Sequence, residues 1–312
     1  MKNKYPNTIL LIILLGITGF PIIAQNQFSF FAIGDMPYHN PADIEKFKKL
    51  TTAINDEKPA FTVHVGDIKN GQSECSDIYF NMILDMFNQF QAPLIYTPGD
   101  NEWTDCGRPG AGGHDPVERL NTLRKLYFRN GESLGKMPLK FISQNINPGF
   151  DQFVENVKWQ KNGITFGTVH VVGSNNNFKA DVNANQEHLK RDQANIHWIS
   201  EVFKTAQADN DAAIVIIMHA ALNYVKSETN GFTSIVEKLR SEVKAFKKPV
   251  LLIYGDHHRF QISKPLMDSE NILIQNFTAL MVYGDTEMNA VKINVDTKSK
   301  SIFSFTEYIM EY

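Results

Sequence analysis

The sequence predicts an α/β fold built on a mainly parallel β-sheet, and three observations carry that reading. Apolar β-type runs alternate with stripes at helical spacing, and the chain opens with three strand–turn–helix units in a row. Five apolar runs then end in turns that carry aspartate or histidine. In such sheets the residues that do chemistry lie in the turns after the carboxyl ends of the strands.

The first run, residues 28–33, breaks at Gly34-Asp35-Met36-Pro37-Tyr38-His39. Asn40 can cap a helix with Pro41 in its first turn, and Ile44, Phe47, Leu50 and Ile54 form its apolar stripe. Residues 61–65 are the second strand, ending in Gly66-Asp67. Ile78, Met82, Met86 and Phe90 mark the next helix. The third strand, residues 94–97, runs into Pro98-Gly99-Asp100-Asn101-Glu102-Trp103-Thr104-Asp105-Cys106. Glycine-rich residues 107–113, with Arg108 among them and His114 following, border that turn. Val117, Leu120 and Leu123 begin a helix, and residues 131–149 read as a long connection.

A hairpin is expected across Lys161-Asn162-Gly163, with residues 157–159 and 164–172 as its strands, the second leading into Gly173-Ser174-Asn175-Asn176-Asn177. A helix through Leu189, Ile196, Ile199, Val202 and Phe203 precedes the apolar run 212–218, which must be a buried strand and ends at His219. A helix through Ile235, Leu239, Val243 and Phe246 leads to strand 249–254 and Gly255-Asp256-His257-His258-Arg259. Residues 272–277, 290–295 and 301–305 read as consecutive strands, with a hairpin turn at 296–300.

The 312 residues are 43% hydrophobic, enough for a sizeable core in one large domain or two ordinary ones. No internal repeat or linker divides the chain, so residues 25–312 are expected to form a single domain. Residues 1–24 read as a secretory signal peptide, with Lys2 and Lys4, an apolar stretch at 9–15 too short to span a membrane, and Ala24 before the cleavage point. Its removal leaves 29 basic against 34 acidic residues, a formal charge near −5. That balance offers nucleic acid no basic patch. No later segment is apolar enough for a span and no cysteine lies near the cleavage point, so no membrane or lipid anchor is indicated, and a secreted or periplasmic protein is expected. Protein partners are not legible. In an oxidising compartment the only two cysteines, Cys75 and Cys106, suggest one disulfide, the alternative being two buried free thiols.

Asp35, Asp67, Asp100 with Asn101, His219, and Asp256 with His257 and His258 all follow apolar runs. Carboxylates and imidazoles in this mixture are the ligand set of one or two divalent cations. A Gly-x-Ser-x-Gly nucleophile turn and a P-loop are both absent from the sequence.

Gly34-Asp35, Gly66-Asp67, Gly99-Asp100-Asn101-Glu102, His219 and Gly255-Asp256-His257-His258 resemble, in order, the five motifs of the calcineurin-like metallophosphoesterases, over about residues 28–260. The resemblance implies a four-layer αββα sandwich of two mixed β-sheets flanked by helices, with the terminal strands completing the second sheet. It implies a metal-dependent phosphomonoesterase or phosphodiesterase in which a metal-bound hydroxide attacks a small phosphorylated substrate. Asp35 and His258 would hold the first metal, Asp67 would bridge, and Asp100, His219 and Asp256 would hold the second. The Trp103-Thr104-Asp105-Cys106 stretch and the paired cysteines look like a secreted bacterial subgroup of the family.

The chain departs from the family pattern where Pro37 stands for a ligand histidine, Asp100 for asparagine, Asn101 for the histidine that protonates the leaving group, and Asp256 for another histidine. An oxygen-rich ligand set favours Mn²⁺, Mg²⁺, Ca²⁺ or iron over Zn²⁺. The catalytic columns are Asn101 and, as a substitute acid, His257, with His39 and His114 as further candidates and His64 read as structural. His39 or Tyr38 could lean over the first metal, and Glu102 is either a carboxylate behind the ligands or a helix-start residue. Arg259 and Arg108 are candidates for binding phosphate oxygens. A degenerate relative that binds a metal or a phosphorylated ligand without turnover is the alternative expectation.

Overall fold

The computed structural model describes residues 1, 26–38, 40–128, 131–179, 181, 185–224 and 230–312; the expected signal segment beyond Met1, and His39, lie outside them. Strand β1 (Gln27–Ile33), helix α1 (Pro41–Asp56), strand β2 (Thr62–His64), helix α2 (Asp77–Phe87) and strand β3 (Leu94–Tyr96) are the expected opening units. Asn40 caps α1 by accepting the Asp43 N–H, with Pro41 in the first turn, and Ser76 caps α2 in the same manner. The remaining elements are α3 (Pro116–Tyr127), β4 (Ile142–Ser143), β5 (Val157–Lys161), β6 (Ile164–Thr168), α4 (Gln186–Ala208), β7 (Ala213–Ile217), α5 (Thr233–Phe246), β8 (Val250–Tyr254), β9 (Gln261–Ser263), β10 (Phe277–Met281), β11 (Ala290–Asp296) and β12 (Phe303–Tyr308).

Two mixed sheets result. One has the order β12-β11-β1-β2-β3, the other β4-β5-β6-β7-β8-β10-β9. Strands β1 to β3 run parallel, as do β6, β7, β8 and β10, and antiparallel strands fill the edges. The alternation along β1 shows how the layers form. Phe30 and Ala32 point into the core between the sheets, while Phe31 and Ile33 point into the core under α1, α2 and α3. A third core lies between the second sheet and α4 and α5. The layers are therefore helices, sheet, sheet, helices.

Aromatic rings join the two sheets: Phe61 stacks on Phe30 at 4.7 Å between centroids, meets Phe166 edge-on at 5.2 Å, and Phe166 lies flat on Trp159 at 5.0 Å. Burying each such ring contributes about 1.5–3 kcal/mol. This packing aligns the carboxyl ends of β1, β2 and β3 with those of β7, β8 and β10 along one edge.

Several local expectations are corrected. The α2 face expected from Ile78 and Met82 points outward, and the buried face is Tyr79, Phe80, Ile83, Met86 and Phe87. Val117 and Leu189 are exposed as well. Both α2 stripes satisfy helical spacing, and the aromatic one wins because it buries more area. Strand β6 ends at Thr168 rather than running to residue 172. The connection at 131–149 contains β4 and a 3-10 turn at Gln144–Ile146. Residues 272–277 are not a strand up to Asn276; the strand is β10, and β9 is an addition. The last two strands do not complete the second sheet: β11 pairs antiparallel with β1 from Gln27↔Asp296 to Ala32↔Val291, covering an edge that β1 would otherwise leave open. Among the described residues no helix is long and apolar enough to cross a membrane.

Candidate metal centre

Local backbone geometry builds the site. Gly66 has φ +96°, and a Cβ there would lie 2.3 Å from the Gly99 nitrogen; one on Gly99 would lie 2.1 Å from Asp67 Oδ1. Only glycines let the turns after β2 and β3 touch in this way. Asp35, Asp67, Asp256 and His258 take left-handed backbone conformations with φ between 53° and 76°. Each such residue costs about 1–3 kcal/mol, a cost that collects at functional sites.

Two ligand clusters form, and they share one residue. Asp35, Asp67 and His258 each present a ligand atom within 4.8 Å of the others, and so do Asp67, Asp100 and His219. His219 Nε2 lies 3.0 Å from Asp100, 3.4 Å from Asp67 and 3.9 Å from Asp256. His258 Nε2 lies 3.4 Å from Asp35. Asp256 stands at the border of the second cluster, with Oδ2 accepting the Ala221 N–H at 3.0 Å and its own N–H donating to Asp35.

The orientation of the imidazoles tests whether cations fit. His219 Nδ1 is 2.9 Å from the Val65 carbonyl, which can only accept, so Nδ1 carries the proton and Nε2 aims its lone pair at three carboxylates. Such an arrangement repels unless a cation or a proton stands between. His258 repeats the design: Nδ1 contacts Asp285 at 2.9 Å and Nε2 faces Asp35. An imidazole fixed by a carbonyl or carboxylate on its far nitrogen is the usual setting of a metal ligand. The residues therefore fit divalent cations.

The electrostatics agree. Burial works against charging His219, but Asp67, the Asp100 hydrogen bond, Asp35 and Asp256 hold its pKa well above the ordinary range. Asp100 is buried, yet its bonds from His219 and Ser174 pull its carboxyl below the usual range. Burial raises Asp67, His219 opposes this, and Asp100, Glu102 and Asp35 add to the rise. His258 is raised by Asp35 against burial.

The other expected residues fall in different places. Asn101 donates its backbone N–H to Asp67 Oδ1 at 3.0 Å and its amide to Oδ2 at 2.6 Å. His257 is exposed and belongs to neither cluster. Arg108 is paired with Asp105 at 2.6 Å, and Arg259 is exposed. His64 is structural: Nδ1 accepts the Gly66 N–H at 3.2 Å, so Nε2 donates to the Met36 carbonyl at 2.7 Å. His114 is half-buried in the loop beyond the disulfide. Cys75 and Cys106 are bonded, with Cα atoms 5.7 Å apart, and tie the loops after β2 and β3 together.

Two residues that the sequence reading did not single out, Asp285 and Lys69, belong to the site, beside Tyr38 and Glu102, which it did. Asp285 orients His258, and Gly284-Asp285 after an apolar run repeats the signature used for the others. The Tyr38 hydroxyl lies 2.9 Å from His258 Nε2, beside the column that Pro37 leaves without a ligand. Glu102 is buried and accepts the N–H groups of Asp67 at 3.1 Å and Gly99 at 2.7 Å and the Tyr96 hydroxyl at 2.6 Å, locking two turns. Lys69, two residues beyond Asp67, donates to the Asn70 and Asn101 carbonyls at 2.7 Å; burial pushes its ammonium down to about 8 while Glu102, Asp67 and Asp105 hold it up.

A strand-end centre of aspartates and histidines between two mixed sheets defines a metallophosphoesterase architecture. The family model described as calcineurin-like phosphoesterase matches residues 28–270, and the chain belongs to that family. Comparison with curated proteins gives no match. Among solved structures, a dimetal phosphatase from Danio rerio is similar at 11% identity and a TM-score of 0.47, covering 91% of this chain and 99% of its own. A purple acid phosphatase from yellow lupin (Lupinus luteus) seeds is similar at 12% identity and 0.48, over 92% of this chain and 54% of its own. GAP50, the anchor in the inner membrane complex of Plasmodium, is similar at 12% and 0.49, over 92% and 90%.

Proposed function

We propose that this protein is an exported, metal-dependent hydrolase of phosphate monoesters or diesters. The observation that carries the reading is Asp67, shared by two clusters, in one of which His219 turns its Nε2 lone pair toward carboxylates. Divalent cations at such a site supply Lewis acidity and activate water for attack on phosphorus. Asp35, Asp67 and His258 would hold one cation and Asp67, Asp100 and His219 the other, with Asp256 beside the second. The carboxylate excess argues for Mn²⁺, Mg²⁺, Ca²⁺ or iron over Zn²⁺. Arg259, exposed next to His258, is placed in sequence to meet phosphate oxygens, whereas Arg108 is already engaged by Asp105.

A second reading has its own support. An amide cannot protonate a leaving group, and Asn101 spends its N–H groups on Asp67. A general acid contributes about 10²- to 10⁴-fold, so its absence favours esters with acidic leaving groups or, at the limit, a protein that binds a metal or a phosphorylated ligand without turnover. Metal analysis of the purified protein, with hydrolysis of aryl phosphate mono- and diesters assayed with and without Mn²⁺, separates these readings. Metal-dependent hydrolysis supports the enzyme. Bound metal without hydrolysis supports the binding protein, and neither metal nor hydrolysis overturns the metal-dependent hydrolase.

A further inference from the structure

The segment Gly173-Ser174-Asn175-Asn176-Asn177 after β6 has a shape that its own sequence does not require. Ser174, Asn175, Asn176 and Asn177 all have positive φ, from 49° to 56°, a single left-handed turn made without glycine. L-residues resist this conformation, asparagine least and serine more. The surroundings enforce it. Arg191, fully buried on α4, donates to the side chain of Asn176 and, at 3.0 Å, to its carbonyl, which His188 Nδ1 also meets at 2.8 Å. Glu187 holds Arg191 from one side at 2.6 Å and Asn177 from the other at 2.8 Å. The Asn176 amide donates to the Gly231 carbonyl at 2.8 Å.

This turn faces the second cluster. Ser174 Oγ donates to Asp100 Oδ2 at 2.7 Å, and Asp100 Oδ1 is the oxygen that meets His219. Gly173 has no positive φ that would call for glycine, but a Cβ there would lie 2.4 Å from Asp100 Oδ1 and 2.8 Å from Asp256 Oδ1. Its missing side chain therefore leaves room between two carboxylates. We propose that the turn is the positioning wall of the second cation site: Ser174 fixes the rotation of Asp100, Gly173 keeps the space clear, and the Glu187–Arg191–Asn176 network holds both in place. This rests on the metal-dependent reading above and assigns to that site two residues that would touch neither substrate nor metal.

The test is calorimetric titration of the full, chelator-stripped protein with Mn²⁺. His219→Ala identifies the binding step that depends on the second cluster, and His258→Ala the step that depends on the first. Loss of an outer partner of a metal ligand weakens binding about 10- to 100-fold. Ser174→Ala and Ser174→Gly are both expected to weaken the His219-dependent step by that factor and to leave the His258-dependent step unchanged, and Gly173→Ala is expected to weaken the same step. Glycine takes the positive φ freely, so Ser174→Gly separates the hydroxyl from the backbone shape. Metal-free thermal midpoints of the Ser174 variants, compared with wild type, show that each variant titrated is folded. Wild-type affinity in Ser174→Gly, or equal weakening of both steps, overturns the positioning role alone. A wild-type protein without a His219-dependent step overturns the metal reading and this one with it.

Discussion

At Asp67 one carboxylate serves two ligand clusters, so its replacement has a larger expected effect than that of any other site residue. Asp67→Asn keeps the shape but loses the charge; it is expected to lower bound metal at both positions and to abolish metal-dependent hydrolysis, as measured by metal analysis beside the aryl phosphate assay. Full metal content in that variant would remove Asp67 from the shared role. His64 makes a prediction about stability. Burial, against the Met36 hydrogen bond and with His219 adding to the fall, lowers its folded pKa to about 3. The unfolded chain, with an ordinary pKa near 6.5, then binds the extra proton between about pH 6.5 and 3, so stability falls as pH falls through that window. A single group contributes at most about 1.4 kcal/mol per pH unit. Urea midpoints at pH 7 and pH 5 measure the slope, and His64→Gln should flatten it. His64, on a strand two residues before Gly66, and the strand-end aspartates were legible from local placement, although the Met36 carbonyl that completes the role of His64 lies 28 positions away. Asp285 was equally legible by the Gly-Asp signature, but its apolar run, β10, was not recognised as a strand.

Among the elements, the loops after β2 and β3 depend on one another. The disulfide spans a sequence separation of 31, for which the chain-entropy relation gives about 3–4 kcal/mol. Cys75→Ser combined with Cys106→Ser is expected to lower unfolding stability by about that much and to weaken Mn²⁺ binding, because Asp67 and Asp100 lie on the two tied loops; denaturant titration and calorimetry read the two effects. Retained metal affinity in a destabilised double variant would confine the disulfide to a structural role. The position of α2 was legible, but its buried face was not. Ile78 and Met82 satisfy helical spacing as well as Phe80, Ile83 and Phe87 do, and only the packing partners, Phe47 on α1 and Tyr96 on β3, choose between them.

For the whole molecule, two sheets must dock before the site exists, since Asp35, Asp67 and Asp100 come from one and His219, Asp256 and His258 from the other. A cation that bridges them binds the folded state alone, so added Mn²⁺ should raise the melting midpoint, by about 2.7 kcal/mol of stabilisation at a hundredfold excess over Kd. Differential scanning calorimetry with and without Mn²⁺ checks this, and an unchanged midpoint argues against a cation at the sheet interface. Phe61→Ala should lower stability by about 3–5 kcal/mol, because Phe61 packs against rings of both sheets. The alternation of strands and helices, the order of the acidic turns and the residue types available to a metal are all written in local spacing along the chain. Long-range packing alone brings β11 back to β1, Asp285 to His258, and Ser174 to Asp100 across 74 positions of chain. Those contacts follow from sheet docking and from a left-handed turn imposed by buried Arg191, and no local spacing encodes either.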